Sequence, residues 1–298
     1  MIQAKPFVKW AGGKGSVVEH LNALLPVEFD DWEDVTYLEP FVGGGAMLFN
    51  MLQNHRNIRR VVINDINPDL IQVYNLVKNN PQYLIEITTS LQTEYIKRDI
   101  AGKEQLFYQY RDRYNNDGMD DNQRAVIFFF LNHTCYNGLF RVNTQGKFNV
   151  PFGRYVSPGF DNPETIMETH RVLNSVDFII LRPGDYKNIA NHLSPRGKNF
   201  VYFDPPYRPL SNTSCFKGYS NDPFGDEQQV ELKCFCDRLA RRGCYFMLSN
   251  SDSKNKDGTS FFEMLYAGYR ISRIDVPRSI NANGQGRSKI KEVLIRNY

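Results

Sequence analysis

The chain has 298 residues, of which 41% are hydrophobic and 23% charged, with a net charge of +3. This composition is typical of a globular protein with a buried core. No apolar run approaches the roughly 20 residues of a membrane-spanning helix, and residues 1–7 do not resemble a signal peptide, so we expect a cytoplasmic protein.

The five cysteines are an odd number, which argues against a framework of disulfides in such a protein. Cys234 and Cys236 are too close together for an ordinary zinc ribbon and have no histidine near them. We expect both on a helix as small, partly buried side chains, and the sequence predicts no structural metal.

The first third of the chain alternates strand and helix. Residues 36–39 predict a buried strand that ends in a glycine turn, and residues 60–65 predict a second strand. Asn67 and Pro68 are residue types that favour a helix N-cap and a first helical position, which predicts helices over 69–79 and then 81–95. This alternation is typical of a doubly wound α/β sheet.

The alternation is interrupted in the middle of the chain and then returns. Residues 104–114 and 123–133 predict helices, and residues 137–155 predict a hairpin with its turn at 144–147. The later predicted elements are helices at 164–173 and 226–242, strands at 177–181, 199–204 and 244–250, and a strand pair at 269–276 and 292–296. The simplest organisation is one α/β domain formed by residues 1–70 and 165–298, with a helical and hairpin insertion at 71–164.

Gly43, Gly44 and Gly45 directly follow the first predicted strand, and they allow a tight turn and a close approach of a ligand. Asp65 ends the next strand, where nucleotide-binding sheets place an acid that accepts hydrogen bonds from ribose hydroxyls. Leu48 stands where a dinucleotide turn needs glycine, and no Gly-Lys-Ser/Thr follows. The pattern favours an adenosine ligand without phosphates, such as S-adenosylmethionine, although loop glycines commonly mark only a turn.

Asp204-Pro205-Pro206-Tyr207 comes at the end of the strand predicted at 199–204. Prolines cannot continue a central strand, so Asp204 is held at the carboxyl edge of the sheet, where open α/β sheets bind ligands. The Asp204 carboxylate could accept a hydrogen bond from one N–H of adenine N6, and the Pro205 carbonyl could accept one from the other. The lone pair of the nitrogen would then point at a sulfonium methyl group. Tyr207 offers a face to an extruded base. The alternative is a loop that only ends a strand.

Two stretches of the chain are locally basic. Residues 135–160 contain no Asp or Glu, and residues 270–296 carry seven Lys or Arg against two acids. The first stretch interleaves its cations with Tyr136, Phe140, Phe148, Phe152, Tyr155 and Phe160. Cations and aromatic rings together suit a phosphate backbone and exposed bases, but a charged stretch is more commonly a solvated face.

Together these features resemble the Dam-type adenine-N6 DNA methyltransferases, the class whose cofactor motifs precede the recognition region. The similar segments are residues 7–14, 39–45, 65, 136–141, 148–155, 204–207, 209–211 and 278–284. The similarity extends from about residue 5 to residue 298, and the combination is more specific than any single segment. It implies methyl transfer from S-adenosylmethionine to N6 of a flipped-out adenine in double-stranded DNA, with GATC as the preferred site. It also implies a monomer of bacterial or phage origin without an obligate protein partner.

The resemblance implies roles for individual residues. The catalytic residues would be Asp204, Pro205, Pro206 and Tyr207. The cofactor would contact Trp10, Lys14, Glu39, Pro40, Phe41, Gly43, Gly45, Asp65, Asp185 and Asp204. Within that group, Lys14 would lie near the cofactor carboxylate, Asp65 at the ribose and Asp185 at the adenine.

The resemblance further implies that Lys9 and Arg141 read guanines, while Asn137 and Leu139 enter the duplex near the target base. The full set of implied DNA contacts is Lys9, Tyr136, Asn137, Leu139, Arg141, Asn143, Pro151 and Arg154. Arg141 is well suited to this role because a guanidinium can grip O6 and N7 of guanine with both arms.

Other interpretations stay open from the sequence alone. Trp10 could be a core residue, Lys14 a solvated charge and Asp65 a helix cap. Arg141 could contact a phosphate, Leu139 could lie in the core of the hairpin, and Asp185 could belong to a plain turn. The acceptor could be cytosine N4, RNA or a protein glutamine, although such enzymes more often carry Ser or Asn in place of Asp204. A non-catalytic DNA-binding protein would not need that carboxylate near anionic DNA. The pattern does not separate a restriction–modification enzyme from a solitary one.

Overall fold

One sheet of seven strands organises the protein. The computed structural model describes residues 3–116, 118–160, 162–209, 224–276 and 290–298. Its strands are β1 (Val35–Glu39), β2 (Ile58–Asp65), β3 (Phe178–Pro183), β4 (Asn199–Phe203), β5 (Tyr245–Ser251), β6 (Arg270–Val276) and β7 (Ile290–Arg296). They lie in the order β3-β2-β1-β4-β5-β7-β6, and β7 is antiparallel to both of its neighbours. All the strands predicted from the sequence are confirmed, with shifts of one or two residues at their ends.

The α-helices of the described residues include every helix that the sequence predicted. They are α1 (Val18–Asn22), α2 (Ala46–Asn54), α3 (Pro68–Asn79), α4 (Pro81–Ile96), α5 (Ile100–Asn115), α6 (Asp121–Thr134), α7 (Pro163–Leu173), α8 (Asp226–Arg241) and α9 (Phe261–Leu265). Asn67 caps α3 by accepting a hydrogen bond from the Leu70 amide at 3.0 Å, as expected. The sequence analysis gave no bounds for α1, α2 or α9. Helices α1 and α9 have only five residues each, which is too short for a periodic pattern.

Both faces of the sheet are buried, which confirms the doubly wound α/β architecture. Tyr37 and Leu38 are adjacent on β1 and point to opposite faces, each into its own apolar cluster. Helices α2, α3 and α6 contribute to the cluster around Tyr37, whereas α8 and α9 contribute to the cluster around Leu38. No helix of the described ranges is long and apolar enough to cross a membrane.

Cys234 and Cys236 lie on α8, as predicted. Only Cys236 is buried, and Cys234 is exposed, so the expectation that both are partly buried was wrong. A helix turns by about 100° per residue, so two positions that are two residues apart cannot share one face.

The chain between β2 and β3 holds helices α3 to α7 and the predicted hairpin. The hairpin is short: Val142 and Phe148 form an isolated bridge, and the Asn143 amide donates to the Lys147 carbonyl at 2.8 Å across the turn. Of the aromatic rings interleaved with its cations, three are buried in the core of this segment, namely Phe148, Phe152 and Phe160. These three rings hold the segment together and do not form a surface for bases.

A charged link connects three helices of this segment, α3, α5 and α6. Asp69 on α3 accepts two hydrogen bonds from the Arg124 guanidinium on α6, at 2.6 and 3.2 Å, and one from the Tyr114 hydroxyl on α5. The Asp69 side chain is 11% exposed, so its charge depends on these partners for solvation. The link holds α5 and α6 against the N-terminal turn of α3.

Asp69→Ala should therefore lower the free energy of unfolding. The substitution leaves the Arg124 and Tyr114 donors without their acceptor, and hydrogen bonds to charged groups contribute about 1.5–3 kcal/mol. Because Arg124 is partly exposed, we expect a loss of about 2 kcal/mol in urea denaturation. Glu86→Ala, at an exposed position of α4, is the control and should change stability by less than about 0.5 kcal/mol. Equal losses in the two variants would contradict the role of the link.

Candidate active site

A cavity of about 580 Å³ lies at the carboxyl ends of β1 and β4. These strands are neighbours, and the strand order reverses between them, which is where open α/β sheets bind ligands. Of the residues predicted for the site, those that line the cavity are Trp10, Lys14, Glu39, Phe41, Gly43, Gly45, Asp65, Leu139, Asp204, Pro205, Pro206 and Tyr207. The glycine turn and the loop after β4 therefore share one cavity, as the sequence predicted.

The glycine turn needs its glycines. Gly43 has φ +48°, and a Cβ added there would lie 2.7 Å from Cδ1 of Trp10; a Cβ on Gly45, at φ +76°, would overlap the Tyr74 hydroxyl. Asp65 holds the turn from below, since its carboxylate accepts hydrogen bonds from the Gly43 amide at 3.1 Å and the Asn67 amide at 3.0 Å. Burial raises the pKa of Asp65 to about 6, against the opposing effect of these amides. The backbone can thus approach a ligand more closely here than any side chain would permit.

Asp204 faces the cavity from the end of β4 and meets Lys14 of the N-terminal segment. The Lys14 ammonium lies 3.1 Å from Oδ1 of Asp204 and 4.4 Å from the centre of the Tyr207 ring. Although the ammonium is close, Oδ1 of Asp204 is buried and accepts no well-directed hydrogen bond. Burial raises the pKa of Asp204 to about 6, and Lys14 opposes that rise. Oδ1 of Asp204 is therefore a buried oxygen that can still accept a hydrogen bond from a ligand.

Glu39 is the second carboxylate of the cavity. It ends β1 and accepts a hydrogen bond from the Tyr37 hydroxyl at 2.6 Å. Burial raises the pKa of Glu39 well above its ordinary value, and the Tyr37 hydrogen bond works against that rise. A carboxyl group of raised pKa can hold a proton near neutral pH and donate it in a hydrogen bond to a ligand.

Glu292 is a site residue that the sequence analysis missed. Its carboxylate accepts a hydrogen bond from the Tyr207 hydroxyl, with 2.7 Å between the two oxygens, and lies 3.6 Å from the Lys14 ammonium. The sequence analysis treated it only as the start of the last strand. An acid directly before the buried run Val293, Leu294 and Ile295 was the signal that could have revealed it.

Two residues predicted to contact the cofactor do not line the cavity. Pro40 is buried in the turn, where its carbonyl accepts a hydrogen bond from the Asn64 amide group at 3.1 Å. Asp185 is exposed and caps the short 3₁₀ helix Tyr186–His192 by accepting from the Lys187 amide at 2.8 Å. The sequence analysis left a plain turn open as the alternative role of Asp185, and the cap is a related local role; its contact with a ligand stays a prediction.

The residues predicted to contact DNA are mostly exposed, and one of them, Leu139, lines the cavity. Tyr136, Asn137, Arg141, Pro151 and Arg154 are exposed, while Asn143 is partly buried because its side chain accepts two amides in the hairpin turn. The Arg141 guanidinium donates to the side chain and carbonyl of Asn149, at 2.8 and 3.3 Å. Leu139 also lines the cavity, so the predicted recognition surface and the cavity are continuous.

Lys9 is fixed next to this surface. Its amide and carbonyl pair with the Asn132 side chain, each at 2.7 Å, and its ammonium donates to the His133 carbonyl at 3.1 Å. The Lys9 ammonium also lies 4.4 Å from the centre of the Tyr155 ring. Burial lowers the pKa of Lys9. The N-terminal segment is thereby attached to the end of α6.

Asn137 and Arg154 adopt the left-handed backbone region, with φ of +54° and +56°. Such a conformation is uncommon for side chains other than glycine and costs about 1–3 kcal/mol. The two residues belong to neighbouring parts of the fold, because the Asn137 amide donates a hydrogen bond at 3.2 Å to the hydroxyl of Tyr155, the residue after Arg154. The strain coincides with the surface that the sequence predicted to enter DNA.

The fold and the site define a class of protein. A doubly wound, Rossmann-like methyltransferase sheet carries at its carboxyl edge an acid-Pro-Pro-Tyr loop facing a glycine turn. The family model described as D12 class N6 adenine-specific DNA methyltransferase matches residues 10–280, and the chain belongs to this family. The protein is therefore an adenine-specific DNA methyltransferase, and its substrate is DNA.

Named relatives match this chain along almost its whole length. It is 40% identical to the Type II methyltransferase M.MjaIII of Methanocaldococcus jannaschii, over 100% of both chains. It is 36% identical to the Type II methyltransferase M1.LlaDCHI of Lactococcus lactis, over 100% of this chain and 96% of the relative. It is 33% identical to the DNA adenine methylase of Escherichia coli K12, over 99% of this chain and 95% of the relative. The Dam-type resemblance stated from the motifs is confirmed.

The burial of Asp204 predicts a stability difference that depends on pH. Its pKa rises from an ordinary value of 3.8 to about 6 on folding, so the folded state binds this proton more tightly than the unfolded state. The resulting stability is complete below about pH 4 and is lost as the pH rises through about 6. Asp204→Asn, which is neutral at every pH, should be more stable than the wild type above pH 6 by about 2 kcal/mol. Urea denaturation at pH 5 and pH 7.5 measures the difference, and a value that does not grow with pH would contradict it.

Proposed function

We propose that this enzyme transfers a methyl group from S-adenosylmethionine to N6 of an adenine flipped out of double-stranded DNA, with GATC as its site. We further propose that it acts as a cytoplasmic monomer. The observation that carries the proposal is the Asp204 carboxylate, whose buried Oδ1 has unused hydrogen-bonding capacity in the cavity that the glycine turn also lines. A carboxylate at this position can orient an amine for reaction as well as bind it.

The residues of the cavity fit S-adenosylmethionine. The cavity of about 580 Å³ has the size of an ordinary small-molecule site, and the glycine turn forms part of its lining. Asp65 and Glu39 provide carboxyl groups for hydroxyl or amine donors, and the Trp10 ring covers the turn. No group of three or more His, Cys, Asp or Glu side chains is placed to hold a metal in the described ranges.

Methyl transfer then depends on orientation and charge. S-adenosylmethionine supplies an electrophilic methyl group when it is bound. Asp204 accepts one N–H of adenine N6 at its Oδ1, and the Pro205 carbonyl accepts the other, so the nitrogen lone pair becomes available for the methyl group. Methylation makes the amine lose a proton, and the Asp204 carboxylate, with a pKa of about 6, can hold that proton before water removes it. Tyr207 provides an aromatic face for the base.

We propose that residues 71–164, together with Lys9, form the target-recognition part, and that residues 1–70 and 165–298 form the catalytic part. The exposed Arg141 guanidinium would exchange its contacts with Asn149 for the O6 and N7 atoms of a guanine. Asn137 and Leu139 would fill the space left by a flipped base; the strained backbone of Asn137 and the position of Leu139 in the cavity lining support this role. The segment similar to the Dam-type enzymes, residues 136–141, supports GATC as the site.

The central test measures incorporation of labelled methyl from S-adenosylmethionine into plasmid DNA, followed by nucleoside analysis. Wild-type protein should produce N6-methyladenine, and Asp204→Ala should lower the rate by about 100-fold or more because it removes the acceptor that orients the amine. DNA binding by the variant should remain measurable. Asp257→Ala, at an exposed loop position, should retain wild-type activity. N4-methylcytosine as the product, or full activity of Asp204→Ala, would contradict the proposal.

Arg141→Ala should relax discrimination at one base pair. A bidentate contact to guanine contributes about 1–3 kcal/mol of discrimination, whereas a phosphate contact weakens binding to all sequences alike. The comparison requires kcat/KM on GATC duplexes and on duplexes with a substituted guanine, with random DNA as the reference for affinity. Lys147→Ala in the same hairpin is the matched control and should affect all duplexes equally. Equal losses for Arg141→Ala on every duplex would identify it as a phosphate contact.

A further inference from the structure

Glu292 lies at the junction of three charged or polar groups of the cavity wall. It is on β7, where its backbone pairs with Ser251 of β5 and Ile274 of β6. Its side chain is 11% exposed, its carboxylate accepts the Tyr207 hydroxyl proton at 2.7 Å, and it lies 3.6 Å from the Lys14 ammonium. Nothing in the folding of β7 requires an acid there, since the next three residues are buried and apolar.

Two carboxylates share one ammonium at this place. Lys14 lies 3.1 Å from Asp204 and 3.6 Å from Glu292, so the three groups carry a net negative charge when both acids are ionised. Burying an excess charge is costly, and an apolar residue at position 292 would avoid that cost. A buried acid with this arrangement is more readily explained by the geometry that it imposes on its partners than by stability.

We propose that Glu292 is a positioning residue of the methyl-transfer site, which anchors the Tyr207 ring through its hydroxyl and holds Lys14 between two carboxylates. This inference rests on the proposed function. The Tyr207 ring is restrained twice, by the hydroxyl hydrogen bond to Glu292 and by the Lys14 ammonium 4.4 Å from its centre on one face. Its other face is then available for a flipped adenine.

Loss of the anchor should therefore affect the chemical step more than the binding of DNA. With the hydroxyl released, the ring can turn about its side-chain bonds and no longer presents a fixed face beside Asp204. Removing a hydrogen bond to a charged group at this place should slow methyl transfer about tenfold. The affinity for DNA should stay within about twofold, because the recognition surface around Arg141 is untouched.

The experiment measures single-turnover methyl transfer and DNA affinity for Glu292→Ala, Glu292→Gln, Tyr207→Phe and the Glu292→Ala/Tyr207→Phe double variant. Glu292→Ala and Tyr207→Phe should each lose about tenfold in rate, and the double variant should be no slower than the slower single one, because all three remove the same hydrogen bond. Glu292→Gln keeps an oxygen that can accept the hydroxyl proton, so it should recover part of the rate. Glu231→Gln, in an exposed ion pair with Lys187, is the matched control.

The pH dependence separates positioning from a structural role. The charged and titratable groups that act on Asp204 are Lys14, Glu292, Tyr207, Tyr202, Tyr37 and Glu39. The charge of Glu292 raises the pKa of Asp204, so Glu292→Gln should move the acid limb of the rate profile to lower pH. A purely structural residue would lower the amount of folded protein without moving that limb. Glu292→Gln is nearly isosteric, so it carries the test if Glu292→Ala does not fold.

The outcomes are distinct. Losses that multiply in the double variant, or a Glu292→Ala rate equal to the wild-type rate, would overturn the positioning role. If the acid limb of the Glu292→Gln rate profile coincides with that of the wild type, the proposed contact of Glu292 with Asp204 through Lys14 would also be overturned. If wild-type protein produces no N6-methyladenine, the proposed function itself is wrong, and this result is independent of every Glu292 variant.

Discussion

The active site depends on how a single ammonium is shared between two buried carboxylates. Lys14 comes from the N-terminal segment, Asp204 from the end of β4 and Glu292 from β7, so the contact joins parts of the chain that are far apart in sequence. Each carboxylate would be costly to bury alone, and Lys14 reduces that cost for both. Burial, with a smaller contribution from the charge of Glu292, raises the pKa of Asp204 to about 6 against the effect of Lys14, which leaves Asp204 ionised at neutral pH and able to accept a proton. The folded state is less stable than it would be with an apolar cavity wall, but the site gains a carboxylate that can still accept a hydrogen bond.

The sheet explains why these groups meet. The carboxyl ends of β1 and β4 are adjacent because the strand order reverses there, and the turn of glycines and the two prolines each end a strand at that edge. The N-terminal segment passes over the same edge and brings Trp10 against Gly43. The chemistry is thus a consequence of topology, since no local sequence pattern could bring these segments together.

Local patterns predicted the fold well and the site in part. Strand periodicity, the Asn67 cap and the proline-terminated loop are local signals, and each produced the structure that it predicted. Glu292 was missed because its partners come from residues 14 and 207, and a pattern within β7 carries no record of such contacts. Asp185 was assigned from the family resemblance, yet a turn and a ligand site use the same residue types there. The aromatic rings of residues 135–160 were ambiguous, since burial cannot be inferred from alternation in a segment without regular strands.

The N-terminal segment connects the two ligand sites proposed for this enzyme. Within six residues it carries Lys9, which is attached to the end of α6 beside the hairpin, and Lys14, which belongs to the cavity. Any ligand that orders one end of so short a stretch restricts the other end as well. If the cavity binds S-adenosylmethionine and Lys9 contacts the duplex, as proposed, the two binding events are thermodynamically linked, and each ligand changes the affinity of the other by the same factor.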